Sequence, residues 1–318
     1  MDLTNLKCKM PNAKVKVMKN KEVLPVIAYI NKRNVLFFLL SIIATWMVYS
    51  PLNDLLISAA QSDYYSHIPL IPLASGYLIY RRRKAIFKDL EYSYSIGFPL
   101  MILGLLLYGL GRNQRNQINL NDYSSFMTVF VLVFWMGGFI LSYGTRAARI
   151  AIFPLAFLCF MIPVPTVLMD KVISFLLIGS DEITYLIFEL AGIPVSREGF
   201  VFQLPGISIE IAKQCSGIRS SLALFITGIL AAHFFLKSRW KKAILICSIL
   251  PIAILKNGIR IVTLSTLAVY VDEKFITQGF LHKSGGFVFY LPALVLLGLI
   301  LWGLRKSERE EICESDHA

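Results

Sequence analysis

The sequence predicts an all-α polytopic membrane protein, with about eight transmembrane helices, an outer-surface amphipathic or re-entrant helix and a short extracytoplasmic hairpin. Three observations predict it. Hydrophobic residues make up 56% of the 318-residue chain and charged residues only 16%, far from the composition of a soluble domain. Apolar segments able to cross a hydrocarbon core of about 30 Å recur along nearly the whole length after residue 34. Lysines and arginines collect in short clusters between those segments, so the net charge of +12 encodes topology and is not a nucleic-acid footprint.

The elements follow in order. Residues 1–33 read as a basic cytoplasmic tail, too polar and too long to be a cleaved signal peptide. Residues 34–305 read as one transmembrane domain and residues 306–318 as a cytoplasmic C-terminal tail. Spans are expected near 34–52, 67–80, 95–111, 125–143, 150–169, 216–236, 243–271 and 287–304. With these spans the clusters at Lys7 to Arg33, Arg81 to Lys84, Arg146 with Arg149, Lys237 to Lys242, and Arg305 to Arg309 all become cytoplasmic. Residues 171–192 are a further apolar stretch, but as a span they would put the last two clusters outside. They therefore read as a helix lying on, or re-entering from, the outer surface, with Asp181, Glu182 and Glu189 toward water. The β-branched and aromatic stretch from Arg197 to Ile211, interrupted by Pro205 and Gly206, reads as a hairpin leading to Cys215.

This topology sorts the five cysteines. Cys8 and Cys313 fall in cytoplasmic tails, Cys159 within a span and Cys247 near the cytoplasmic end of another; Cys215 alone faces the outer side, with no disulfide partner there. It stands directly before a helix opened by Ser216 and Gly217, where free N–H groups would stabilise a thiolate or hold an oxyanion. A small residue packed at a helix start is the plainer reading of the same position. Arg260 lies in a span otherwise suited to lipid, which by default marks function. Counted from Ala243 it is roughly 26 Å along the helix, at the outer rim and level with Cys215; snorkelling, or a pair with Glu210, is the alternative.

His282 lies in the outer loop between the last two spans, where an imidazole suits acid–base work. Asp63 and His67 open the second span on the same rim, as substrate contacts or as an interface belt. Arg219, one turn into the cysteine's helix, is placed to pair with Glu210 or to hold an anionic substrate group. His233 is excluded as a partner, being roughly 27 Å further along that helix. There is no metal-ligand spacing, no HExxH and no phosphate-cradling glycine loop, so neither a metal nor a cofactor is expected.

Four stretches carry a resemblance: AKQCSGIRSS around Cys215, NGIRI from Asn257 to Ile261, HKSGGFVFY from His282, and DYYSHIPLIPLASGYLIYRRR from Asp63 to Arg83. In order and spacing, over about residues 35–305, the chain resembles the exosortase/archaeosortase family. The resemblance implies Cys215 as nucleophile, Arg260 as the cation supporting thiolate or oxyanion, and His282 as general acid/base. Ser216, Gly217, Arg219, Glu210, Asn257, Asp63 and His67 are then candidate supporting residues. It further implies a multi-pass cysteine protease or transpeptidase of the bacterial cytoplasmic (inner) membrane, its active site facing the periplasm. The expected partners are membrane-anchored precursor proteins with a C-terminal sorting signal of PEP-CTERM type, in a setting of exopolysaccharide and biofilm surface anchoring. The acceptor of the second step, water or an amine, is left open, and nucleic acid is not an expected partner. The alternative is a transporter or channel that uses Arg260 as a substrate or gating charge, with a helix break at Asn257-Gly258. That reading gives Cys215 and His282 no reason to share the rim.

Overall fold

In lipid every backbone N–H and C=O must be bonded inside its own segment, and apolar runs become helices for that reason. The computed structural model describes residues 31–59, 65–272, 286 and 288–315. Its helices are α1 (Lys32–Ala59), α2 (Leu70–Ile86), α3 (Tyr94–Arg112), α4 (Leu120–Ile150), α5 (Ile152–Phe157), α6 (Thr166–Leu190), α7 (Ile218–Phe235), α8 (Arg239–Tyr270) and α9 (Tyr290–Ser315). Single 3-10 turns cover Leu158–Met161 and Lys213–Ser216. Strands β1 (Ser196–Glu198), β2 (Val201–Leu204) and β3 (Ile207–Glu210) form an antiparallel sheet in that order.

α3, α4, α7, α8 and α9 are long and apolar enough to cross a membrane, and Ile152–Met161 with Thr166–Leu190 makes a sixth if that bent pair is one span. Among the described residues this gives five or six spans by length and composition, where eight were expected. The expected first span lies inside α1. α2 has 17 residues, about 26 Å of helix and short of the hydrocarbon thickness. The expected continuous span at 150–169 is not formed: α5 gives way to a 3-10 turn, and the chain then bends by 88° into α6.

The bend has a local cause and a local compensation. Pro163 and Pro165 remove backbone donors and disfavour helix in the residues before them. The start of α4 then satisfies the groups the bend exposes. Ser125 donates to the carbonyl of Pro163 at 2.7 Å, Asn121 to that of Val164 at 2.8 Å, and the N–H of Thr166 donates to the Asp122 carboxylate at 2.6 Å. The last contact satisfies one of the orphan donors at the start of α6. Asn121 also pairs with the Tyr65 hydroxyl.

The chain separates into two compact units, one within Leu24–Lys171 and the other formed largely by Val172–Ala318. In the first, α3 and α4 approach backbone to backbone. A Cβ built on Gly97 would lie 2.5 Å from the Leu141 nitrogen, and one on Gly104 would lie 2.6 Å from the Phe134 nitrogen, the close packing that small residues allow between membrane helices. Beside this seam Phe37, Trp135, Phe139 and Tyr143 form a ladder of ring contacts with centroids 5.1 to 6.1 Å apart.

In the second unit α7, α8 and α9 pack around Leu224, Leu245, Ile249, Ala293 and Leu297. Glu308 of α9 accepts the N–H groups of Lys237 at 3.1 Å and Ser238 at 2.5 Å, which caps the α7–α8 connection. The hairpin is present, with one strand more than a hairpin needs, and its buried Phe202 and Leu204 pack on Leu177 and Phe188 of α6 and Ile261 of α8. Arg197 of β1 fastens it to α6 through Asp181 at 3.2 Å and Glu182 at 2.9 Å. Here the sequence expectation needs correction. Glu182 and Glu189 are exposed, but Asp181 turns inward and is 4% exposed, because its charge is met by an arginine rather than by water.

Candidate active site

β3 delivers the chain to the cysteine turn. Cys215 sits in the 3-10 turn Lys213–Ser216, its N–H donating to the Ala212 carbonyl at 2.8 Å. Gly217 follows with φ 66° and ψ 19° and is the last residue before α7. This left-handed conformation is open to glycine at little cost, and it lets a 3-10 turn run directly into a helix. α7 therefore begins two residues after the cysteine's neighbour Ser216, and its first N–H groups, which have no intrahelical acceptors, follow Cys215 immediately. Cys215 is a half-buried free thiol at the margin of the Phe202–Ile261 cluster, whereas the other described free cysteines, Cys159 and Cys247, are exposed.

The turn is held from α8. The Asn257 side chain, 1% exposed, donates to the Cys215 carbonyl at 2.8 Å and to the Ser180 hydroxyl of α6 at 3.0 Å. The same side chain closes the space over the glycine, since a Cβ at Gly217 would lie 2.5 Å from Asn257 Oδ1. Gly258 lets α6 come close in turn, a Cβ there meeting Ile183 at 2.6 Å. One residue thus ties the cysteine turn to two helices.

Arg260, one turn beyond Asn257 on α8 and half-buried, lies within electrostatic reach of the Cys215 sulfur. In a region of low dielectric such a cation favours a thiolate or an oxyanion at the sulfur's position. Among the sequence-derived candidates, Cys215, Ser216, Gly217, Asn257 and Arg260 are therefore brought together. Ser216 is buried, while Arg219 and Glu210 are exposed. His67 lies half-buried in the turn before α2, in the other compact unit. His282 and Asp63 lie outside the described residues.

Sequence reasoning missed Lys256, which is 6% exposed and donates to the Ser220 hydroxyl. The rule that singled out Arg260, an ionisable side chain in an apolar span, applies equally to Lys256 and would have found it. Ser180 carried no comparable signal, since a serine in a helix becomes informative only when its partner is known. α8 is continuous from Arg239 to Tyr270, so the helix break at Asn257-Gly258 that a transporter would use is not present. Among the described residues no group of three or more His, Cys, Asp and Glu side chains converges as a metal site would require.

With this geometry in view, the chain was compared with known proteins. Residues 58–299 match the family described as Transmembrane exosortase. The chain belongs to the transmembrane exosortase family. No curated protein and no solved structure matches it. Membership makes this exosortase a multi-pass membrane protein, and its class of activity the processing of sorting signals by a cysteine protease or transpeptidase. The matched segment holds the whole cysteine turn, Asn257 and Arg260.

Proposed function

We propose that this exosortase cleaves the C-terminal sorting signal, of PEP-CTERM type, of exported precursor proteins at the outer face of the bacterial cytoplasmic membrane, through a thioester on Cys215. The observation that carries the reading is a half-buried free thiol at the entrance to α7, its backbone held by Asn257, with Arg260 one turn further along the same helix as Asn257. The basic clusters between spans support an outer-facing site through the positive-inside rule. The downstream role is surface anchoring linked to exopolysaccharide and biofilm.

In the proposed cycle the Cys215 thiolate attacks the carbonyl carbon of the scissile peptide bond, forming a C–S bond and moving an electron pair onto the carbonyl oxygen. Arg260 and the start of α7 stabilise that oxyanion. The C–N bond then breaks and the amine of the membrane anchor leaves with a proton from His282. Water or an acceptor amine, giving its proton back to His282, attacks the thioester; the C–S bond breaks and the thiolate returns.

The test is co-expression with a precursor ending in a sorting motif, a transmembrane helix and a basic cluster. Precursor size is compared between wild type and Cys215→Ser. Full-length precursor with the variant and shortened product with wild type is the expected result. Equal processing by both would remove Cys215 from the reaction.

A further inference from the structure

Lys256 is a buried ionisable group joined to the cysteine turn that this mechanism leaves unused. It stands one turn before Arg260 on α8, next to Asn257, and is 6% exposed. Its ammonium donates to the Ser220 hydroxyl and, at 3.5 Å, to that of Ser221. Both hydroxyls in turn donate to the Gly217 carbonyl, at 3.0 and 2.9 Å. Lys256 is thus joined through two serines to the left-handed residue that shapes the cysteine turn.

A tie of this kind does not require a charge. A neutral donor would reach a serine hydroxyl at far lower desolvation cost than an ammonium inside an apolar helix. The ammonium also stands one turn from the like charge of Arg260, and among the described ion pairs none joins it to a carboxylate. Two positive charges on one face of α8, one turn apart, are costly to the fold and raise the local potential. The field they make falls on the turn that carries Cys215.

Building on the proposed thioester chemistry, we infer that Lys256 is a positioning residue that carries a second fixed positive charge of the Cys215 centre. It orders the first turn of α7 through Ser220 and Ser221. Together with Arg260 it biases the centre toward anions, including those that form on and around the cysteine sulfur. Lys256 does not touch the reacting atoms; it acts through the turn and through its charge.

The test compares alkylation of Cys215 by iodoacetate, an anion, and by iodoacetamide, a neutral reagent of similar size. Each forms a C–S bond and releases iodide. The full chain is used in detergent, and the Cys215 peptide is followed by mass spectrometry with exposed Cys247 as internal reference. The anion-to-neutral rate ratio at Cys215 is expected to fall by about threefold or more in Lys256→Met. It is expected to stay near wild type in Lys256→Arg, which keeps the charge, and in the double variant Ser220→Ala with Ser221→Ala, which keeps the charge and loses both ties. The ratio at Cys247 stays constant in all. Lys256→Gln gives the same readout should the methionine variant fail to fold.

An unchanged ratio in the neutral variants, or an equal fall of both rates, would reduce Lys256 to a structural donor and overturn the inference. No alkylation of Cys215 by either reagent would overturn it together with the thioester reading. Precursor cleavage that survives Cys215→Ser would remove the thioester reading alone, and the ratio would still report on Lys256.

Discussion

The α3–α4 seam and the seam where α6, α7 and α8 meet are made from equally apolar helices, yet they are closed by different means. Between α3 and α4, Gly97 and Gly104 bring backbones into contact, and the buried polar side chains of α4 are hydroxyls, as where Thr128 returns its own to the Ser124 carbonyl at 2.7 Å. Between α6, α7 and α8 the closure is made by Asn257, Ser180, Lys256 and the paired serines. The first seam needs only shape. The second takes on a desolvation cost that shape alone would avoid, and it does so around one thiol. The difference supports the proposed site, since ionisable and amide groups inside an apolar helix are costly unless they serve a role beyond packing.

Substitutions can break this contrast, and their expected effects are graded. Cys215→Ser should lower precursor cleavage by roughly 10³-fold or more while leaving expression and thermal unfolding near wild type, read on gels of co-expressed precursor. Asn257→Leu should come next. It leaves the Cys215 carbonyl and the Ser180 hydroxyl without this donor, at a cost of about 1–3 kcal/mol, and cleavage should fall by roughly 10- to 100-fold as the turn loses its position. Gly217→Ala meets both a left-handed φ and the Asn257 oxygen, a strain of about 1–3 kcal/mol. Its cleavage defect should be partly relieved in the double variant with Asn257→Ala, and a double-mutant cycle without coupling would refute the contact.

The glycine seam sharpens the comparison from the other side. Gly97→Val forces α3 away from α4 and should lower unfolding temperature and abundance, at a cost of about 1–3 kcal/mol. Among molecules that remain folded, alkylation of Cys215 should proceed at the wild-type rate. The smallest effect on cleavage belongs to Arg197→Gln, at the hairpin's ion pairs with Asp181 and Glu182. The exposed Glu182 contact contributes little, and the larger part of any loss comes from leaving the buried Asp181 carboxylate without its arginine. Protease susceptibility of the 196–210 hairpin is the measurement.

Much of this was legible in the sequence, for physical reasons. Hydropathy reports burial in lipid directly, and α3, α7 and α8 fall within a few residues of the apolar runs that predict them. The cost of an arginine in a span singled out Arg260, and the position of Cys215 before an apolar run singled out the cysteine turn that Asn257 holds. What averaging over a window hides is the chemistry of single residues. Pro163 and Pro165 sit in an apolar run and leave its hydropathy high, yet they end the helix there, and the Asn121, Asp122 and Ser125 groups that make the bend tolerable lie about 40 residues earlier. Asp181 turned inward because Arg197, on a strand, was available to it, a pairing that hydropathy does not encode. Lys256 escaped notice beside the more conspicuous Arg260, although the same rule covers both.

The sequence distance across the cysteine turn has a consequence for the newborn chain. Asn257 grips Cys215 across 42 residues, and Lys256 and Arg260 arrive on the same late helix. At ribosomal rates of about 5–20 residues per second, the thiol precedes its clamp and its cations by roughly 2 to 8 s. During that interval it is an ordinary cysteine just past the hairpin, with nothing yet to hold its turn. The proposed centre cannot be complete before α8 inserts beside α7, so synthesis itself would act as a safety catch, withholding the clamped thiol until the surrounding helices are in the membrane.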